Sequence, residues 1–500
     1  MKQWLDRVTG RFTMYRTVLV LLIAISAIAV ILSLFGRLSF TPLELLVSYA
    51  VAIGTTLLAG LLFAKLFHTT AHLESSAITG ILLFIVLTPT LDPIGLAAIA
   101  VAGLLASASK YLLAWRGRHI FNPAAMGAFI VTAFQLTYSG WWVGTSDLLP
   151  VVAIGAFIVL YRTRHLALGV TFLLTVAVIT VGRFLILGLD PVQGLNFVFL
   201  SSGAVFLAGF MLSEPLTLPP RRWQQLVVAV VVAALFAIPF NIFAVVYSSP
   251  QLALVVGNLV AFFFGQRRGI RLAFVSKKQL TPTTWEFSFQ PAVPVRFVAG
   301  QYMELTVPHS KVDARGTRRY FSISSAPATD APITFALKIT EETSTFKRAL
   351  LELAAGDTVR ATLVGGDFML PVDRELPLLL VAGGIGITPF ASQLADASTR
   401  GRDIVVAYAV SDPGELAYSS LLTMSGARVI VTAPTKPPKL PKGWTYAGVR
   451  LTREVIEKEI PDAASRRAYV SGPPSLVNDV CVTLRRLGSK RVTTDYFSGY

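Results

Sequence analysis

The sequence predicts a multi-pass α-helical membrane domain fused to an antiparallel β-barrel and a parallel α/β nucleotide-binding domain. Three observations predict it. Of 500 residues, 54% are hydrophobic and 14% charged, whereas soluble chains carry about 25% charged residues. The charge is also uneven: residues 1–271 hold 17 Lys+Arg and 7 Asp+Glu, and the remainder hold 27 and 21. Finally, long apolar runs give way near residue 271 to short alternating ones. Disorder, fibrous repeats and a single soluble domain are excluded. The boundaries fall at 1–268 for the membrane domain, 272–373 for the barrel and 374–500 for the nucleotide-binding domain.

A spanning helix needs about 20 largely apolar residues. Ten runs read this way: 16–35, 43–67, 76–88, 93–113, 123–136, 148–161, 166–187, 197–212, 226–240 and 251–264. The first follows a charged segment, and no small-residue cleavage site comes after it, so it reads as a retained helix. Loops assigned to the cytoplasm carry fifteen Lys and Arg, and the opposite side carries Arg37 and Arg183. This bias places a multi-pass chain in the cell (inner) membrane among lipid, with both termini and the soluble half in the cytoplasm. The net charge of +16 follows from that topology. With no basic face interleaved with stacking aromatics, nucleic acid is not an expected partner.

The single cysteine, Cys481, excludes an internal disulfide, a Cys-based zinc site and a four-Cys iron–sulfur cluster, and it reads as core. His68 and His72 lie one helical turn apart, too close to ligate one haem from opposite sides. His119 and His165 read as polar residues at the membrane interface. No metal site is expected. Segments three and eight end alike, in Leu87-Thr88-Pro89 and Leu212-Ser213-Glu214-Pro215. Near the same offset, Asn122-Pro123 opens segment five and Ser249-Pro250 opens segment ten. The pattern is a weak 5+5 inverted repeat, an arrangement that builds sites from short or interrupted helices.

In the soluble half, alternation over 285–289, 302–307 and 334–339 predicts antiparallel strands, with one helix at 346–353. Continuous apolar runs at 378–381, 404–409, 428–432 and 467–470, spaced by helical stretches, predict a parallel sheet. Between the first of these and a helix at 390–397 lies Gly383-Gly384-Ile385-Gly386-Ile387-Thr388-Pro389. Ligands bind such sheets at the carboxyl ends of the strands, where glycine lets backbone N–H groups approach a pyrophosphate.

Two resemblances extend this reading. His119-Ile120-Phe121-Asn122-Pro123-Ala124-Ala125 and Phe210–Pro215, with the ten segments, resemble the B subunit of sodium-translocating NADH:quinone reductase and the D subunit of Rnf complexes. Those subunits carry FMN on the Thr of a Ser/Thr-Gly-Ala-Thr motif. Here the corresponding loop reads Ser139-Gly140-Trp141-Trp142-Val143-Gly144-Thr145 and lacks the motif. Residues 272–500 resemble the ferredoxin–NADP reductase family. That resemblance implies FAD, with Arg319 on its pyrophosphate, Phe321 on the flavin face and Ser322 bonded near flavin N5. A frame on Arg318 would put Phe321 where a hydroxyl is needed. It further implies a second phosphate contact at Ser344 and Thr345, and a barrel-closing turn at Gly365-Gly366-Asp367-Phe368. Gly383, Gly384, Gly386, Thr388 and Pro389 correspond to the pyridine-nucleotide turn. Ser471, Gly472 and Pro473 correspond to a late motif in which Ser471 replaces the Cys that faces the nicotinamide. Phe497 would cover the flavin until nicotinamide displaces it, so Ser322 and Phe497 take the catalytic places.

These readings converge on a membrane-bound flavoprotein oxidoreductase. Electrons pass from cytoplasmic NADH or NADPH through FAD to an acceptor in or across the membrane: a quinone, a flavin or a metal. The alternatives are a redox-driven ion pump or transporter, and a membrane-anchored reductase of a soluble electron carrier. Tyr408-Ala409-Val410-Ser411-Asp412 ends the second strand on an acid with no base, which favours NADH. Crossing about 30 Å of hydrocarbon needs an intermediate centre. A non-covalent second flavin or a quinone in the membrane domain fills that part, flanked by Asn122 and Glu214.

Overall fold

Where water is scarce, an apolar run can satisfy its backbone only as a helix or a closed barrel, and the N-terminal runs form helices. The structure, a computed structural model, describes residues 14–69, 71–115, 118–242, 246–264, 269–309, 313, 317–341 and 343–496. The chain divides into two units, Met1–Arg267 and Arg268–Tyr500. In the first, α1 (Met14–Leu34), α2 (Pro42–Leu66), α3 (Leu73–Val86) and α4 (Pro93–Leu112) precede a hairpin, β1 (Ala114–Trp115) and β2 (Arg118–His119), and then α5 (Pro123–Ala133). The same succession recurs. α6 (Leu149–Thr163) and α7 (Leu166–Ile186) lead to the bent pair α8 (Pro191–Leu200) and α9 (Ala204–Phe206), which continues into a π-helical turn, Leu207–Met211. α10 (Arg222–Ala237), the hairpin β3 (Asn241–Ile242) and β4 (Val246–Tyr247), and α11 (Pro250–Phe264) complete it. α2 packs on α4, α7 packs on α10, and α5 meets α11 across the two halves.

Helix starts follow local chemistry. Thr41 and Glu44 form a capping box, Asp92 caps through Gly95 N and Asn122 through Ala125 N, each with Pro in the first turn. The expectation of ten spanning helices is revised. Among the described residues four helices, α1, α2, α4 and α7, are long and apolar enough to cross a membrane, or five if the 52° bent pair counts as one span. α3, α5, α6, α10 and α11 have 11 to 16 residues, short of the usual minimum of about 17. Hydropathy overran their ends: 134–136, read as helix, form a turn. Outward positions of the long helices stay apolar, with Leu58 and Val178 each 70% exposed.

In the second unit, β5 (Ile270–Gln279), β6 (Thr284–Pro291), β7 (Tyr302–Thr306), β8 (Arg318–Ser322), β9 (Ile333–Lys338) and β10 (Thr358–Gly365) form an antiparallel sheet in the order β8-β7-β10-β5-β6-β9. Its edge strands approach at one bridge, Ile323 with Phe335. Phe287, Phe289 and Phe335 fill the concave side with Phe346 of α12 (Thr345–Glu352). A parallel sheet follows, in the order β14-β13-β12-β11-β15-β16. Its strands are β11 (Leu378–Gly383), β12 (Ile404–Ala409), β13 (Arg428–Thr432), β14 (Thr445–Tyr446), β15 (Arg467–Gly472) and β16 (Val492–Tyr496). The helices α13 (Thr388–Ala395), α14 (Ser419–Met424), α15 (Arg453–Glu459) and α16 (Pro474–Arg486) connect them. Cys481 is buried on α16.

One carboxylate joins the two sheets. Glu415, in the loop after β12, is 8% exposed and accepts from Thr281 Oγ1 (2.5 Å), Thr283 N (2.9 Å) and Thr284 Oγ1 (3.2 Å) of the β5–β6 turn. Nearby, Tyr418 donates to Glu286 on β6 at 2.7 Å. Burial, together with the Glu286 charge, pushes the Tyr418 phenol well above its ordinary pKa, so it remains a donor. Hydrogen bonds to a charged group contribute about 1.5–3 kcal/mol each, and orphaned buried donors cost about 1–3 kcal/mol. Glu415→Ala is therefore expected to destabilise this unit by about 3 kcal/mol, read as a lower denaturant midpoint. An unchanged midpoint would remove Glu415 as a tie between the sheets.

Candidate functional site

The antiparallel sheet presents an anion site at the start of α12. Arg319 on β8 is 7% exposed, and its guanidinium lies over the Phe346 ring at 5.3 Å. Its Nη2 reaches Asp313 Oδ1 at 3.4 Å, while Thr345 N donates to Asp313 Oδ2 at 3.3 Å. A carboxylate thus sits where an arginine and the first N–H groups of a helix converge, the arrangement that favours anions. Arg319 Nη1 also donates to Arg318 O at 2.7 Å. The donor set fits a phosphate, with the Asp313 carboxylate as its stand-in. Ser344 accepts from Lys347 N (3.4 Å) as the helix cap, and Thr345 Oγ1 meets His309 Nε2 at 3.0 Å.

Side chains alternate along a strand. Arg319 and Phe321 therefore share a face, and Phe321 packs on Phe346 with ring centroids 5.7 Å apart. Tyr320 and Ser322 fall on the other face, Tyr320 being 46% exposed and Ser322 buried. The structure brings Arg319, Ser344 and Thr345 together at α12 and leaves Ser322 at the end of β8. Phe497 lies outside the described residues.

Adjacent parallel strands β11 and β15 end in two turns that touch backbone to backbone. A Cβ on Gly386 would lie 2.4 Å from Ser471 O and 2.7 Å from Gly472 Cα. A Cβ on Gly472, at φ +148°, would lie 2.9 Å from Gly383 Cα, and one on Gly383 would lie 2.9 Å from Pro473 Cδ. Gly383 and Gly386 are thereby committed to packing the two turns. Gly384, at φ +53° with nothing within 4 Å, is the open member of the turn. Thr388 and Pro389 start α13, and Thr388 Oγ1 donates to Ile385 O at 3.1 Å. Ser471 is wholly buried and its Oγ has no hydrogen-bond partner, an orphan polar group at the crevice where a ligand amide would satisfy it. Phe368, from the turn closing the antiparallel sheet, packs against Phe390 and Tyr469, each at 5.4 Å. The exposed Ser411-Asp412 turn follows β12, with Asp412 Oδ1 accepting from Gly414 N at 2.8 Å.

The first unit holds a second constellation. Asn122 Nδ2 donates to Glu214 Oε2 at 2.9 Å, and His119 Nε2 lies 3.0 Å from Glu214 Oε1. Asn122 N donates to Asn258 Oδ1 on α11 at 2.7 Å. Lys110 Nζ donates to Ser75 O at 3.2 Å and to Ser75 Oγ at 3.3 Å. His165 hydrogen-bonds the Ser213 backbone, and its Nδ1 is buried without a partner. Asn122 and Glu214 line a small cleft with Val18, Ile78, Leu82 and Phe210. His119 and His165, read as polar residues at the membrane interface, both close on the Ser213-Glu214 turn that follows the π-helical segment. Sequence reasoning also missed His309, Asp313 and Lys110. Each makes a contact at least 32 residues away along the chain, His309 and Asp313 with Thr345 and Lys110 with Ser75, and no local signal marks that contact.

Residues 380–482 match the oxidoreductase NAD-binding domain family. The chain is 27% identical to the reductase subunit of an aromatic O-demethylase from Amycolatopsis sp. (strain ATCC 39116 / 75iv2), over 41% of this chain and 63% of that protein. It is also 27% identical to the toluate 1,2-dioxygenase electron transfer component of Pseudomonas putida, over 45% and 65%. An NADPH oxidoreductase of Mycobacterium tuberculosis matches at 27%, over 39% and 48%. The chain thus spans about half to two thirds of the length of these curated relatives. Among solved structures, an Amycolatopsis cytochrome P450 reductase superposes with a TM-score of 0.40 at 23% identity, covering 46% of this chain and 70% of that one.

Proposed function

We propose, from the premise that the second unit is a ferredoxin-reductase-like, FAD-binding and NAD(P)H-dependent oxidoreductase, that this chain passes electrons from NAD(P)H to an acceptor held by its helical unit. The observation that carries the reductase part is the anion site of Arg319 and the α12 N-terminus, which supports a flavin pyrophosphate there. When bound, FAD takes a hydride from nicotinamide and releases electrons singly or in pairs. The chain's own residues bind and orient. Arg319, Ser344 and Thr345 hold phosphate, Phe321 and Ser322 border the flavin, and Phe497, outside the described residues, covers it as the family resemblance implies. Gly383, Gly384, Gly386, Thr388 and Pro389, with Ser471, Gly472 and Pro473, hold the dinucleotide. The domains then divide as 1–268 for electron transfer in the membrane, 272–373 for FAD and 374–500 for NAD(P)H.

The relatives named above are reductase components or an NADPH oxidoreductase, which supports transfer to a separate acceptor. In this chain the cleft beside Asn122 and Glu214 is the place for it, as a quinone or a non-covalent second flavin. The likeness of 119–125 and 210–215 to the sodium-translocating reductase B subunit supports an acceptor within the membrane unit. The acidic turn Ser411-Asp412 favours NADH, so the catalytic efficiency with NADH should exceed that with NADPH. A tenfold preference for NADPH would reverse this.

The experiment is a comparison of acceptors on the purified full-length protein. Asn122→Ala and Glu214→Ala are expected to slow reduction of a lipophilic quinone relative to a soluble dye. Equal ratios in parent and both variants would remove the cleft from the pathway. Absence of flavin absorbance and of dye reduction in the parent would remove the reductase reading itself.

A further inference from the structure

We infer that Tyr418 is a positioning residue for hydride transfer: its bond to Glu286 fixes the nucleotide-binding sheet at the angle that brings nicotinamide onto the flavin. This rests on the reductase reading above and adds a residue outside the sets proposed to hold either cofactor. Tyr418 precedes α14 in the left-handed conformation, at φ +59° and ψ 22°. Among the described residues of the second unit it is the only non-glycine residue with a positive φ. An L side chain is strained there, and such strain persists only where the surroundings over-determine the residue. What holds Tyr418 is the other sheet, since its hydroxyl donates to Glu286 Oε1 on β6 at 2.7 Å.

Glu286 carries that contact toward the flavin edge. Ser324 Oγ donates to the same Oε1 at 3.4 Å and lies 2.7 Å from Thr334 Oγ1. Ser324 is two residues beyond Ser322, the residue proposed to border the flavin. Between them Ile323 is pinned, its N–H donating to Gln301 O at 2.9 Å. The next residue is held directly, because Ser392 Oγ of α13 donates to Ser325 O at 2.6 Å. The segment Ser322–Ser325 is thus gripped from α13 and, through Glu286, from the start of α14. Those helices follow the first two parallel strands, β11 and β12.

The ties divide the work. Glu415 attaches the nucleotide sheet to the β5–β6 turn through three hydrogen bonds, and Ser392 attaches it beyond β8. Two attached points leave two bodies free to rotate about the line joining them, and a third point off that line stops the rotation. Tyr418 supplies the third, on the body of β6.

Hydride transfer is sensitive to such a rotation. The nicotinamide C4–H bond breaks as an N–H bond forms on the flavin, so NADH is oxidised and the flavin reduced with no further reactant. Reacting atoms must lie about 3–3.5 Å apart, and a misplacement of about 1 Å costs about 100-fold. Binding is insensitive to it, because each cofactor's phosphates are proposed to be held within one sheet: by Arg319 with α12, and by the turns after β11 and β15. Tyr418 therefore acts on rate and not on affinity.

The test is single-turnover reduction of the flavin by NADH in the full-length protein. In Tyr418→Phe, which keeps the ring and loses the hydroxyl, the rate at saturating NADH should fall at least about tenfold, part of that distance penalty. FAD affinity and the half-saturating NADH concentration should stay at parent values. The isotope effect with C4-deuterated NADH should grow as hydride transfer becomes the slower step. Glu286→Ala should match Tyr418→Phe, and the double variant should be no slower than either. Glu286→Gln, whose amide oxygen still accepts from the phenol, should retain most of the rate. Independently of activity, hydrogen exchange of the deflavinated protein should quicken at 284–286 and 416–420 in Tyr418→Phe. A parent-like rate or parent-like exchange in Tyr418→Phe overturns the inference. So does a slowing matched by an equal loss of FAD affinity, which would make Tyr418 a fold contact only. A parent that binds no flavin and takes no hydride from NADH overturns the reductase reading itself.

Discussion

Arg319→Ala is expected to weaken FAD binding about 100-fold. Truncating one partner of a buried, hydrogen-bonded charge pair costs about 2–5 kcal/mol, and about 1.4 kcal/mol corresponds to tenfold in affinity. Arg319 is 7% exposed and held over Phe346, so water cannot readily replace its guanidinium. Asp313 bonds the Arg319 guanidinium and Thr345 N, the donors proposed for the phosphate, so Asp313→Asn should move affinity the opposite way by removing a competing negative charge. Arg319→Lys should fall between, keeping charge and losing the planar fork. Flavin titration of the deflavinated full-length protein measures all three. Parent-like affinity in Arg319→Ala would place the pyrophosphate elsewhere.

Gly386→Ala is expected to be nearly as damaging, through the nucleotide crevice. Its Cβ would meet Ser471 O at 2.4 Å and Gly472 Cα at 2.7 Å. Both are backbone atoms, so relief requires the ends of β11 and β15 to separate. Overpacking of this kind costs about 1–3 kcal/mol, and the upper end applies where no side chain can move aside. The KM for NADH should rise more than tenfold, because the two turns proposed to hold the dinucleotide no longer meet. Gly384→Ala is the internal control. Its φ of +53° strains an alanine, but nothing lies within 4 Å, so the cost is about 1–2 kcal/mol. A thermal melt with NADH kinetics on both variants checks this, and equal losses would refute the packing role of Gly386.

What the sequence made legible was local. The run Leu378-Leu379-Leu380-Val381 followed by glycines and a helix is readable because strand, turn and cap adjoin. Asn122-Pro123 announces a helix start for the same reason, and Asn122 does cap α5. Arg319 stood out through its neighbours in the motif. Glu415 did not, since its partners Thr281 and Thr284 lie 134 and 131 residues away. The π-helical turn over Leu207–Met211 escaped because α and π backbones have the same hydropathy. Hydropathy likewise cannot see where a helix stops when the turn beyond it is apolar, as at 134–136. The two-residue hairpins β1–β2 and β3–β4 are too short to show alternation at all.

The contact of α5 with α11 has a consequence for biogenesis. Within each half, packing joins near neighbours, α2 with α4 and α7 with α10, and such pairs can form as each half leaves the ribosome. The Glu214 constellation cannot. Its bonds span 92 residues from Asn122 to Glu214, 95 from His119 to Glu214 and 136 from Asn122 to Asn258. His119 must therefore wait until Glu214 has been synthesised, and the Asn122 N–H until Asn258 follows on α11. At about 5–20 residues per second, that delay lasts roughly 7–27 s. A chain truncated before Asn258 leaves the Asn122 N–H without its partner across the two halves.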